Sequence, residues 1–232
     1  MPTLVSWNCN MAFRRKRDLL SKYDPDVLVV QECECPDTVG EWEPFADWRW
    51  IGEREHQGLA VFSADSTLST PGVTRQGGLL TLPVVTETGP DVLAVWAKND
   101  ETTREHRYIG QVSRAVADYE AFLDGKTAVV GDFNGNREFD DSPRYPLHDD
   151  LAGVIERLRA HDIHSSYHRT RDCAFGDEPE PTLYMQKKRD RPYHVDYVFL
   201  PRATFASDVT VTVGAYDDWI DASDHVPLVV EW

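Results

Sequence analysis

Val27-Leu28-Val29-Val30-Gln31-Glu32 is an unbroken β-branched and apolar run that closes on an amide and a carboxylate. Such a run reads as a central strand buried on both faces. Upstream, Leu4 to Asn8 reads as a second buried strand, Arg14 to Lys22 as a helix with a basic exposed side, and Asp24-Pro25-Asp26 as a turn. This strand–helix–strand opening places Asn8 and Glu32 at the C-terminal ends of neighbouring strands, where sites in α/β sheets form.

Further strands are expected at 59–62, 79–85, 92–96, 127–130, 195–200, 209–213 and 226–232, with Gly and Pro at the breaks. In Tyr108 to Leu123 the residues Ile109, Val112, Val116, Tyr119 and Leu123 share one helical face, and Gly125 ends the helix. Asp150 to Ala160 reads as a second amphipathic helix. Residues 34–57 read as irregular, and 165–192 as one long polar loop. No repeat or linker divides the chain, so 1–232 is expected to be a single domain.

Five short motifs sit at the ends of these apolar runs: Trp7-Asn8, Gln31-Glu32, Gly131-Asp132-Phe133-Asn134, His194-Val195-Asp196-Tyr197 and Ser223-Asp224-His225. Each delivers a carboxylate, an amide or an imidazole, the groups that a divalent cation and a phosphate require. In an extended segment Asp132 and Asn134 would point the same way, the acid able to orient or deprotonate an attacking water and the amide to donate to a phosphate oxygen or to the incoming nucleophile.

In this order the motifs resemble those of the endonuclease/exonuclease/phosphatase superfamily, the DNase I-like and exonuclease III-like fold, over nearly the whole chain. The resemblance implies a four-layer α/β sandwich, with two packed mixed β-sheets flanked by helices. It implies Glu32, Asn8 and Asp224 as metal-site residues for Mg²⁺, with Mn²⁺ able to substitute. It implies Asp132, Asn134, Asp196, His225 and Asn99 as catalytic residues, with Asp196 orienting His225. The chain departs from the family in two places. Trp96 stands where DNase I-like members carry a His and the apurinic/apyrimidinic group a Tyr, so protonation of the leaving group must come from metal-bound water, Lys98, or a His such as His168 or His194. Asn10 stands where that group has an Asp ligand.

The net charge is −16, which disfavours a broad nucleic-acid surface. Two basic clusters nevertheless flank motifs: Arg14-Arg15-Lys16-Arg17, and Lys187-Lys188-Arg189 with Arg191. Arg14, Arg15, Lys98, His168, Tyr184, Lys187 and His194 are the expected substrate contacts. No stretch approaches a membrane span, no signal peptide is visible, and the four cysteines form no Cys-x-x-Cys pair, as expected for a cytoplasmic protein. The expected activity is metal-dependent phosphoester hydrolysis by activated water, with nucleic acid as the substrate and no obligate protein partner. The alternatives are a phosphatase or phosphodiesterase acting on a small or lipid-derived phosphate ester, and a noncatalytic phosphate- or nucleic-acid-binding module that retains the fold.

Overall fold

In the computed structural model the description covers residues 1–39, 42, 44–71, 80–100, 102–103, 106–140 and 149–232. Leu79, the expected start of one strand, and His148 lie outside these. The strands and helices run in the order β1 (Thr3–Asn8), β2 (Val27–Cys33), α1 (Pro36–Val39), β3 (Asp47–Arg54), β4 (Gln57–Ser63), β5 (Leu68–Ser69), β6 (Thr81–Thr86), β7 (Asp91–Trp96) and α2 (Ile109–Asp118). They continue with β8 (Thr127–Asp132), α3 (Arg137–Asp140), α4 (Leu151–Ala160), β9 (Ile163–Ser165), α5 (Ser166–Arg171), β10 (Leu183–Tyr184), β11 (Pro192–Tyr193), β12 (Asp196–Pro201), β13 (Thr210–Val213), α6 (Tyr216–Trp219) and β14 (Leu228–Glu231).

Two six-stranded mixed sheets result, ordered β13-β14-β1-β2-β4-β3 and β5-β6-β7-β8-β12-β9. They pack face to face. Leu4, Val29, Leu59 and Val230 from the first sheet share a core with Leu82, Val92, Ala94, Val130 and Val198 from the second. The alternation of side chains along a strand sends the neighbours of these residues outward. Leu28 and Val30 pack with Trp7, Phe13, Phe62 and Trp219 on one outer face. Leu93, Val95, Val129 and Phe199 pack under Val112 and Val116 of α2 and Val154 and Leu158 of α4 on the other. Burial on both faces is why these strands read as continuous apolar runs. The Asp150 side chain caps α4 by accepting from Gly153 N–H at 2.8 Å. Among the described residues no helix is long and apolar enough to cross a membrane.

Three expectations need correction. The 14–22 segment forms short 3-10 turns, Phe13–Arg15 and Arg17–Tyr23, instead of an α-helix. Only Phe13 and Leu20 are buried there, which is too narrow an apolar stripe to hold a longer helix. The 34–57 stretch contains the edge strand β3, whose half-buried Trp48-Arg49-Trp50 hides the strand pattern. The 165–192 stretch, expected as one loop, carries α5, β10, a 3-10 turn and the start of β11, while 172–182 and 188–191 lie in no helix or strand.

His168 explains much of that order. Its Nε2 lies 2.9 Å from Glu178 Oε1 and its Nδ1 2.7 Å from Ser165 Oγ, while its ring stacks on Phe175 at 3.5 Å. Burial would raise the Glu178 carboxyl pKa, but hydrogen bonds from His168 and Gly176 N–H outweigh it and hold the group at about 2. His168 is therefore an interior strut. Breaking a buried pair strands its partner, so His168→Ala should cost about 3 kcal/mol in urea unfolding while kcat stays near wild type. A large loss of kcat at unchanged stability would return His168 to the site.

Candidate active site

The parallel register of β1 and β2 sets Asn8 beside Gln31, one residue short of Glu32. A bulge lies between Gln31 and Cys33, where Glu32 adopts φ +59. Left-handed backbone in a non-glycine residue costs of order 1 kcal/mol and is typical of sites where a bulge re-aims a side chain. Glu32 is half-buried, and an amide reaches each of its oxygens: Asn8 Nδ2 donates to Oε1 at 3.3 Å and Gln57 Nε2 to Oε2 at 3.1 Å.

Asn8 Nδ2 also donates to Asp132 Oδ2 at 3.0 Å, joining the two sheets. Asp132 ends β8 and is fully buried. Gly131 precedes it at φ +143, and a Cβ there would lie 1.9 Å from the Val95 carbonyl oxygen, so the close approach admits only glycine. Asn134 lies outside the strand at φ +46. It folds back so that its N–H donates to Asp132 Oδ1 and its Nδ2 to Oδ2, both at 2.9 Å. Asp132 and Asn134 thus meet through a left-handed turn, not through the extended segment expected.

The antiparallel register of β8 and β12 sets Asp196 directly across from Asp132. Asp196 Oδ2 accepts from His225 Nδ1 at 2.8 Å, and His225 Nε2 lies 4.0 Å from Asp132 Oδ2. Burial would lower the His225 pKa, but the charges of Asp196, Asp132 and Asp224 prevail and raise it to about 10. Burial, followed by the charge of Asp196, raises Asp132 to about 7 despite the opposing pull of His225.

The segment carrying His225 is fastened to β1. Ser223 Oγ donates to the Asn8 carbonyl at 2.7 Å and Trp7 Nε1 to the His225 carbonyl at 3.0 Å. Asp224 is half-buried and accepts from Asn10 Nδ2 at 3.4 Å. Asn10, Met11 and Ala12 are all left-handed, with φ of 51, 63 and 52°. Lys16 holds this strained turn, its ammonium donating to the carbonyls of Cys9 (2.6 Å), Asn10 (3.2 Å) and Ala222 (2.7 Å). Glu34 holds it from the other side, accepting from the N–H groups of Phe13 and Arg14. Sequence reading missed Gln57 and the clamping role of Lys16. Lys16 was hidden inside a basic run, and no local signal marks Gln57.

The expected substrate contacts are placed unevenly. Arg15 is exposed, Arg14 pairs with Glu34 and Lys98 with Glu53, both at 3.0 Å. Lys187 Nζ donates to the Asp221 carbonyl at 3.1 Å. Tyr184 is half-buried edge-on to Tyr216, and its N–H donates to the Asp224 carbonyl. Asn99 is exposed beyond the end of β7. His194, two residues before Asp196, lies outside any strand. It precedes β12, is buried beside Tyr167 and Tyr197, and has Nδ1 2.8 Å from the Glu180 carbonyl oxygen. Trp96 is buried between the sheets.

One atom each from Asp132, Asp196 and His225 lies within 4.8 Å of the others, a cluster able to hold a metal ion. While His225 keeps its proton, its Nε2 has no lone pair to offer a cation. Glu32 and Asp224 are half-buried carboxylates, hard-oxygen groups of the kind that Mg²⁺ and Mn²⁺ take, and the Asn8 amide turns its nitrogen to Glu32 and its oxygen to the Asn10 N–H.

No curated protein matches the chain. Among solved structures it is similar to an AP endonuclease from Archaeoglobus fulgidus, at 15% identity and TM-score 0.72, covering 100% of this chain and 99% of that one. It is similar to the 3' phosphatase NExo from Neisseria bound to product DNA hairpin, at 17% identity and TM-score 0.67, with the same coverage. It is also similar to the 3'-5' exonuclease NExo from Neisseria meningitidis, at 17% identity and TM-score 0.64, covering 99% of each chain. These likenesses establish the fold. The model of the Endonuclease/Exonuclease/phosphatase family matches residues 5–225, from β1 to the imidazole of the final motif, and the chain belongs to that family of phosphoester hydrolases.

Proposed function

We propose that the chain is a divalent-metal-dependent nuclease that hydrolyses phosphodiesters of DNA or RNA by in-line attack of water. The observation that carries this reading is the convergence of Asn8, Glu32, Asp132, Asn134, Asp196 and His225 at one edge of the two sheets. Glu32, Asn8 and Asp224 would hold Mg²⁺, with Mn²⁺ able to replace it. When bound, the ion supplies Lewis-acid stabilisation of charge on the phosphoryl oxygens.

The remaining steps fall to side chains. Asp132 takes a proton from the attacking water, and Asn134 holds that carboxylate and the water in line. His225, kept protonated and oriented by Asp196, hydrogen-bonds the phosphoryl oxygen on which charge develops. Trp96 is buried and has no acidic proton to give. Of the groups expected to protonate the leaving oxygen, His168 and His194 are buried away, which leaves water and Lys98, the latter near its Glu53 partner. The DNA-bound neighbour supports a nucleic-acid substrate.

A second reading, hydrolysis of a terminal or small phosphate monoester, has its own support. The net charge is −16, and much of the basic rim is already engaged: Arg14 by Glu34, Lys98 by Glu53 and Arg189 by Asp217. A panel separates the two. Single-stranded DNA, duplex DNA with and without an abasic site, RNA and small phosphate esters are each incubated with Mg²⁺, Mn²⁺ or EDTA. Metal-dependent chain cleavage supports the nuclease, and phosphate release without cleavage supports the monoesterase. Tight ligand binding with no turnover by folded, metal-loaded protein would sink both and favour the noncatalytic module.

A further inference from the structure

We propose that Thr182 is a positioning residue that sets the Asp196–His225 pair. The proposal rests on the reading of that pair as part of a hydrolytic site. Thr182 is fully buried, and its single hydroxyl oxygen accepts from two successive backbone N–H groups, Val195 and Asp196, each at 3.0 Å. The same residue's carbonyl accepts from Val226 N–H at 2.8 Å. Leu183 then bridges to His225, and Tyr184 N–H donates to the Asp224 carbonyl at 2.8 Å. One short segment therefore grips the start of β12 through a side chain and the Asp224–Val226 segment through its backbone. Between those two grips lies the 2.8 Å contact of Asp196 Oδ2 with His225 Nδ1.

A hydroxyl oxygen has two lone pairs, and here both are filled by N–H donors. Val195 and Asp196 are each 1% exposed, so water cannot replace the hydroxyl without entering the interior. Valine at 182 has nearly the same shape and no acceptor. It would leave two buried donors unmatched and free the start of β12 to shift. The other Asp196 oxygen, Oδ1, is buried with no hydrogen-bond partner among the described residues, so the side chain finds no second anchor among them to resist the shift. Displacements near 1 Å at a reacting group cost up to about a hundredfold in rate.

Two readouts test this on the full chain. The first is turnover: Thr182→Val should lower kcat about ten- to a hundredfold with KM nearly unchanged, and Thr182→Ser should restore it. The second is independent of any substrate. In protein labelled with ¹⁵N-histidine, the His225 Nδ1–H proton held by a carboxylate should resonate far downfield in wild type and in Thr182→Ser, and be lost in Thr182→Val. Thr182→Ala serves the same comparison if the valine variant does not fold. A downfield proton and wild-type kcat retained in the valine or alanine variant overturn the proposal, as does a wild type with no such proton. If wild type turns over no phosphoester, the functional reading fails, and the resonance alone decides the role of Thr182.

Discussion

Asp132→Asn should lower kcat about a thousandfold, within the range that a positioned general base contributes, and leave KM nearly unchanged. The side chain is fully buried, within 4.0 Å of the His225 ring, and held by Asn8 and by Asn134 on both of its oxygens. An amide keeps the shape but cannot accept a proton. The pH profile is a companion test. A base must have lost its proton, so the rate should climb as pH rises through about 7, where burial and Asp196 place the Asp132 pKa. It should fall again above about 10, where His225 loses its proton. The two limbs belong to the coupled set and not to either residue alone. His225→Ala should remove the alkaline limb. A rate that is flat from pH 6 to pH 9, or an asparagine variant with wild-type kcat, rejects Asp132 as the base.

Glu32→Gln should abolish metal-dependent turnover and weaken Mn²⁺ binding about tenfold or more, as loss of a carboxylate from a hard-cation site does. The strained φ of +59 at the bulge and the amides on both oxygens show how firmly the fold fixes this carboxylate. Electron paramagnetic resonance of free Mn²⁺ reads the binding directly, and addition of EDTA to wild type should reproduce the variant. A variant that binds Mn²⁺ like wild type would move the ion to the Asp132, Asp196 and His225 cluster.

Strand content was legible because strands buried on both faces write long apolar runs, as Val27-Leu28-Val29-Val30 does. The motif order was legible because each motif sits at one end of such a run: the first three close β1, β2 and β8, and the last two open β12 and lead into β14. Contacts set by tertiary structure were not. The Asp132–Asn134 contact was expected from strand parity, and it arises from a left-handed turn that no pattern announces. His168 and His194 looked available because a polar, proline-rich stretch reads as loop. Their rings are buried by Phe175, Tyr167 and Tyr197, brought against them by the turns of this stretch and not by a strand or helix period. Lys16 was counted with its basic neighbours because charge is visible in a sequence, whereas three waiting carbonyls are not.

The central claim is that the side chains gathered at the strand ends hydrolyse a phosphoester. A DNA oligonucleotide carrying a 3'-phosphate, incubated with Mn²⁺ and either wild type or Asp132→Asn, tests it in one assay that reports both inorganic phosphate and shortened chains. The expected result is release of phosphate, of fragments or of both by wild type, stopped by EDTA and by the substitution. Folded wild-type protein that binds Mn²⁺ yet releases neither, or a variant that matches wild type, would contradict it.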